Sequence, residues 1–368
     1  MNISDDPPSV ATPEKKSRTI WYELHFWIGW IAAIPIALVC LTGAILTFQQ
    51  EITQWEQKDL FQLNVTGPQP TVDHVLAAYA KAGYQVNHLG MPRSPQHAYQ
   101  AYCVQVRPEG RQNAQVAYDP YADRLIKKTD TFSVMKTTTE IHRHLLGSVP
   151  GQTIVAVSSV LLAVTASFGL ILWWPLREKT FTRAWKRGRA IDWHNALGLA
   201  ALLPLIVMAI TGITFTWGQQ LFPALEKMQG GPSRQTPPVV AVPEGAAKVP
   251  LQAVVKRVED AFPGSPITGL QPSNTKSRPH LFFLDANGSN LRVFMNPYTG
   301  EEVARIDGSG FGPVGWYRNN FGKLHTFGPY GFIPRVLWAL FSLLGTVLVV
   351  TGLWVSLKRW QRRKRGAI

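Results

Sequence analysis

Charge is scarce in this chain and cysteine almost absent. Of 368 residues only 16% are Asp, Glu, Lys or Arg, against 46% hydrophobic, and there are two cysteines. Cys40 falls inside an apolar run and Cys103 in a polar segment, so a disulfide between them is not expected. No CxxCH occurs, which excludes covalent c-type haem attachment. No GxGxxG follows a strand pattern, and the short basic connections leave no room for a nucleotide or flavin domain. A cleavable leader is not expected either: the first apolar run is too long for a signal core and no small-residue site closes it, so it reads as an anchor. Acidic residues are outnumbered, 23 to 37 Lys and Arg, for a net charge of +14. That excess does not point to nucleic acid, because it is concentrated beside the apolar runs.

Those runs are the dominant positive feature. A hydrocarbon core about 30 Å thick needs about 20 helical residues, and four stretches meet this while holding almost no charge. The expected organisation is a tail 1–19, helix 20–48, outer module 49–150, helix 151–176, basic loop 177–190, helix 191–217, outer module 218–331, helix 332–357 and basic tail 358–368. Lys15, Lys16 and Arg18, then Arg177 to Arg189, then Lys358 to Arg365 place three basic clusters at helix ends. Such clusters stay in the cytoplasm. Both termini are therefore expected to be cytoplasmic, and the long segments to face the periplasm from a bacterial inner membrane. Spans without charge offer little for ion coupling, which weighs against a transporter.

The chain repeats itself. At an offset of 169, His25, Gly29, Ala32, Pro35, Thr42, Gly43 and Thr47 meet His194, Gly198, Ala201, Pro204, Thr211, Gly212 and Thr216. At an offset of 183, His142, Ser159, Val164, Gly169 and Leu170 meet His325, Ser342, Val347, Gly352 and Leu353. The outer segments correspond as well. Each has a helix-like run (72–82, 251–262), a strand-like run, and a turn, Asp119-Pro120-Tyr121 or Asn296-Pro297-Tyr298. The predicted fold is a mostly α integral membrane protein: a four-helix bundle of two parallel repeats, with two small α+β periplasmic modules. Pro35 and Pro204 are expected to kink their helices, and the proline-rich 230–250 to form an extended tether.

Four of the nine histidines occupy equivalent places. His25 and His194 open the first and third helices; His142 and His325 precede the second and fourth. One histidine at a membrane boundary is ordinarily an interfacial residue with satisfied hydrogen bonds. Two symmetry-related pairs at matched depth point instead to haem, whose iron takes axial imidazoles from facing helices. His144 competes with His142, but the two point in nearly opposite directions on a helix. Only the His142 alignment also matches Gly169-Leu170 to Gly352-Leu353; His144 then remains for a propionate or substrate. The glycines would admit a macrocycle or a neighbouring helix. His74, His88, His97 and His280 have no metal-site spacing and are expected on the surface. With no electron-donating domain in the chain, a membrane quinol or a cytoplasmic reductase would have to supply electrons.

The sequence resembles the PepSY-associated transmembrane family. The resemblance rests on Leu24-His25 with Gly29, Thr42-Gly43, Glu140-Ile141-His142-Arg143 with Leu145, Gly169 with Trp173-Trp174-Pro175, and the Asp-Pro-Tyr and Asn-Pro-Tyr-Thr-Gly turns. It covers about 20–357, with His144 as an extra candidate outside the pattern. A subset of that family is similar to siderophore reductases, which implies two b-type haems on His25/His194 and His142/His325 beneath two PepSY modules. It also implies that a ferric siderophore is reduced at the periplasmic face; for docking, the aromatic stretch before His325 offers Trp316, Tyr317 and Arg318 as candidates, whose plainer role is packing in a loop. The alternatives it leaves are a haem carrier serving another acceptor or quinol, and a non-redox PepSY binding or regulatory protein.

Overall fold

The computed structural model describes residues 13–107, 110–127, 133–234, 236–286, 289–306 and 311–365; most of the tail 1–19 and the last three residues of the tail 358–368 lie outside these. In chain order the helices are α1 (Pro13–Ile31), α2 (Ala33–Leu46), α3 (Gln49–Glu56), α4 (Lys58–Phe61), α5 (Val72–Lys81), α6 (Val134–His144), α7 (Ser148–Trp173), α8 (Thr180–Arg187), α9 (Ala190–Gln229), α10 (Leu251–Ala261), α11 (Gly312–Thr326) and α12 (Phe332–Lys364). The strands are β1 (Tyr84–Gly90), β2 (Tyr99–Arg107), β3 (Gly110–Asp119), β4 (Arg124–Lys127), β5 (Ile267–Gln271), β6 (His280–Ala286), β7 (Ser289–Met295) and β8 (Glu302–Ile306). They form two compact units: a helical one from 1–49, 133–223 and 320–368, and one containing the strands from 50–132 and 224–319.

In the helical unit three helices, Ser148–Arg187, α9 and α12, are long and apolar enough to cross a membrane. Only 17%, 28% and 22% of their apolar windows are buried within the protein, and large side chains such as Leu203, Ile210 and Val350 point outward. Such a surface suits lipid, where each backbone polar group must be satisfied inside its own helix. The first predicted span differs from expectation. It breaks at Ala32 into two helices, Thr19–Ile31 and Ala33–Leu46, bent by 66°, and makes a fourth span only if the halves count as one. Pro35 has no N–H to give and its ring crowds the Ile31 carbonyl, so the ladder is weakest there. Its copy Pro204 does not behave alike: α9 runs through it, and its non-helical residue is Trp217. The halves of the broken span differ in their main partner, α1 packing chiefly on α7 and α2 chiefly on α12. Residues 177–190 are not a plain loop but a 3-10 turn (Trp174–Lys179) followed by α8. Ala32, Ile36, Cys40, Ala201 and Leu205 form an apolar core within this unit. It is built on the repeat, Ala32 and Ile36 matching Ala201 and Leu205.

The second unit corrects the expectation of two modules. All eight strands belong to one antiparallel sheet, β4-β3-β2-β1-β5-β6-β7-β8. The halves join edge to edge through Leu89 opposite Leu270 and Gly90 opposite Gly269. The pairing covers two edges that would otherwise stay open. Helices α5 and α10 share one core with the sheet, with Val75, Tyr79, Val254 and Val258 against Leu89, Tyr118, Phe282 and Val293. They also cap each other: Leu251 and Gln252 donate N–H to Asp73 at 2.9 and 2.7 Å, and Val72 donates to Gln252 Oε1 at 2.8 Å. The repeated turns are closed alike. Asp119 Oδ1 accepts from Tyr121 and Ala122, and Asn296 Oδ1 from Tyr298 and Thr299.

Three further expectations are corrected. The proline-rich tether packs on its unit, Val240 and Ser233 being buried and Val240 donating N–H to Ser277 O. His280 is buried, not at the surface, and His88 is half-buried against Tyr102 and Phe283. Trp316, Tyr317 and Arg318 stand on helix α11 rather than in a loop.

Candidate functional site

The helical unit brings the four repeat-related histidines together in two pairs. His25 on α1 faces His194 on α9 with ring centres 6.3 Å apart, and His142 on α6 faces His325 on α11 at 6.1 Å, both roughly edge-on. His144 is elsewhere engaged, its Nδ1 3.0 Å from Glu140 Oε2 one turn earlier.

Each ring is anchored through Nδ1. His25 Nδ1 lies 2.8 Å from Thr165 O, and His142 Nδ1 lies 3.0 Å from Val39 O. A carbonyl can only accept, so Nδ1 carries the proton and the other nitrogen, Nε2, keeps its lone pair. In the second repeat the equivalent carbonyl positions are Leu348 and Met208. Threonines complete the sockets: Thr42 Oγ1 at 3.1 Å from His142 Nδ1, Thr211 Oγ1 at 2.8 Å from His325 Nδ1, and Thr351 Oγ1 at 3.0 Å from His194 Nδ1. A ring whose Nδ1–H is tied to a carbonyl and whose Nε2 is free is the usual form of a metal-ligating histidine.

Glycines make the sockets possible. A Cβ on Gly169 would meet His25 Cε1 at 3.3 Å, on Gly352 His194 Cε1 at 3.3 Å, on Gly43 His142 Cε1 at 3.1 Å, and on Gly212 His325 Cε1 at 3.6 Å. These four therefore seat imidazoles. Gly29 has nothing within 4 Å of its would-be Cβ and Gly198 only Leu348 Cδ2 at 3.6 Å. Both line a cavity of about 650 Å³ shared with His25 and His194, within the size range of small-molecule and cofactor sites. Tyr22, Trp30, Asn195, Ser356 and Arg359 line it too. Asp192, two residues before His194, is buried and held by Arg189 at 2.7 and 3.3 Å.

The pairs are separated by depth. Gly169, against His25, and Ser159, beside Gly212 in the His325 socket, are ten residues apart on α7. Gly352, against His194, and Ser342, against Gly43 in the His142 socket, are ten apart on α12. Either way the layers differ by about 15 Å of helix rise.

Two imidazoles on opposite sides of one metal, each bond about 2 Å long, place their ring centres about 6 Å apart. The donor set thus fits a group that takes two axial nitrogens. Among the described residues no group of three or more His, Cys, Asp or Glu is placed to hold a metal ion. The carbonyl anchors were not legible in the sequence, since any residue offers one. The threonines and glycines were visible, but as repeat identities without a role.

One unit carries three helices long and apolar enough to cross a membrane and the other carries an antiparallel sheet, which points to the class of membrane proteins. The chain belongs to the family described as the PepSY-associated TM region, which matches it over residues 22–359. No curated protein matches it.

Proposed function

We propose that this protein is a haem-binding transmembrane electron carrier of the bacterial inner membrane, with both termini in the cytoplasm, that reduces a chelated ferric ion, a ferric siderophore, at the periplasmic face. His25 with His194 and His142 with His325 are the axial ligands of two b-type haems. Each haem supplies an iron that cycles by one electron. Siderophores hold Fe(III) far more tightly than Fe(II), so one electron releases the metal. The electron donor is a membrane quinol or a cytoplasmic reductase.

The observation that carries this reading is the pairing of the four rings at 6.3 and 6.1 Å, with Nδ1 committed to carbonyl and hydroxyl partners on neighbouring helices. The sockets fix ring orientation and raise the basicity of Nε2. Ala32, Ile36, Ala201 and Leu205 form an apolar core in the same unit. Arg359, Asn195 and Ser356, on the wall of the His25/His194 cavity, have the chemistry to receive porphyrin carboxylates.

The test is spectroscopic. Purified protein is expected to show a sharp reduced-minus-oxidised haem band, with two haems per chain falling to one in His25→Ala and to one in His142→Ala. His144→Ala is expected to keep both. A colourless protein would leave the non-redox PepSY reading standing, and unchanged stoichiometry in both ligand variants would refute the assignment.

A further inference from the structure

The sheet unit holds a second cavity, of about 240 Å³, with four arginines on its wall: Arg234, Arg278, Arg292 and Arg318. They come from parts of the chain that only folding brings together: the proline-rich segment, the approach to β6, strand β7 and helix α11. The floor is apolar. Leu281, Phe294 and Ile306 line it, on the sheet face opposite the one that buries Phe282, Leu284 and Val293 against α5 and α10. Among the described residues, only Arg318 of the four has a carboxylate partner, Glu226 at 2.8 Å. Glu226 also holds Ser233, whose hydroxyl meets Arg318, so this corner is built rather than incidental. Arg278 reaches only the neutral Gln271 Oε1 at 3.3 Å.

Four guanidiniums around one small cavity repel each other unless something negative joins them. Burial first, then the nearby charge of Arg234, lowers the pKa of Arg318, while Glu226 opposes both. Repeat symmetry does not account for the arrangement. Val116 and Tyr118 occupy the core positions of Val293 and Met295, which makes Gln115 the counterpart of Arg292. The pocket is thus a property of the second half alone. Arg318 shares α11 with His325, seven residues or about two turns before it.

We infer that this pocket binds an anionic ferric chelate, gripped by Arg278, Arg292 and Arg318 through carboxylate or catecholate oxygens. The inference rests on the reductase reading and narrows its substrate class: bidentate arginines suit planar oxyanions, and an uncharged hydroxamate chelate would leave these cations unmatched.

The experiment uses full-length protein in detergent and gallium(III) citrate, a redox-inert probe, with gallium(III) desferrioxamine and metal-free citrate as comparisons. Binding and the haem spectrum are read on wild type and on Arg278→Gln/Arg292→Gln, a variant that spares the Glu226–Arg318 pair. The expected result is binding of gallium citrate that weakens at least tenfold in the variant and with added salt, with haem absorbance unchanged and no such effect on desferrioxamine. Equal gallium citrate affinity in the two proteins overturns the inference. Metal-free citrate binding as tightly as its gallium complex overturns the assignment to a chelate. Haem bands report separately: their absence with arginine-dependent binding intact would sink the electron-transfer reading and leave the pocket standing.

Discussion

A histidine's role in this chain is set by what holds its Nδ1. His25 and His142 give Nδ1–H to carbonyls, and His194 and His325 have Nδ1 on threonine hydroxyls, whereas His280 does the reverse. Its Nδ1 accepts from Ser273 N–H at 3.0 Å, so the proton sits on Nε2, which is buried without a partner. Burial first, then the nearby Lys248 charge, lowers its pKa to about 4, while Asp73 opposes. In the unfolded chain the value is about 6.5. The folded state therefore resists a proton that the unfolded state accepts. The contribution is whole above about pH 6.5 and is lost as pH falls toward 4, up to about 3 kcal/mol. His280→Asn keeps an acceptor for Ser273 and removes the titration. Denaturation midpoints between pH 7 and 4 are expected to fall less steeply in that variant. Parallel profiles would show that His280 is not the group responsible.

Helices meet through small residues here, and one contact is tight enough to test. A Cβ on Gly345 of α12 would come within 2.5 Å of Cys40 Sγ on α2 and 3.1 Å of Leu205 Cδ2. Ser342 and Thr346, on the same helix, donate to the Cys40 and Ala37 carbonyls at 2.7 and 3.1 Å, so α12 cannot retreat without losing both bonds. Overpacking of this kind costs about 1–3 kcal/mol. Gly345→Ala is expected to lower the thermal midpoint in detergent, and Gly345→Ala with Cys40→Ala to recover most of the loss, since Sγ is the offending atom. A double variant no better than the single one would mean that the backbones, not the thiol, set the spacing. The helices themselves were plain in the sequence as long uncharged runs. The break at Ala32 was only half legible: the same Ala and Pro recur at Ala201 and Pro204 without a break, so local chemistry permits the bend and packing decides it.

The whole chain is two copies of one unit that depend on each other. In the sheet unit each copy would have four strands and one helix packed in their core, with an open edge; joining β1 to β5 covers that edge, and Asp73 of the first copy caps α10 of the second. Asp73→Ala is expected to cost about 1–2 kcal/mol. It should speed hydrogen exchange in β1–β4 and β5–β8 together, because one core serves both. Faster exchange confined to the second half would show that the copies fold separately. In the helical unit each histidine's anchor lies on another helix of its own copy, while its ring faces the other copy. Neither copy alone could present two imidazoles to one metal.

By itself the sequence determined the apolar helices, the doubled architecture and the four histidines, because length, hydropathy and residue identity are local properties that survive without a fold. It also carried the family. Only the tertiary structure decided which carbonyls and hydroxyls hold the rings, that the strands close into one sheet, and that four arginines far apart in the chain share a cavity. Those outcomes depend on side-chain direction, edge pairing and long-range packing, which no linear spacing encodes.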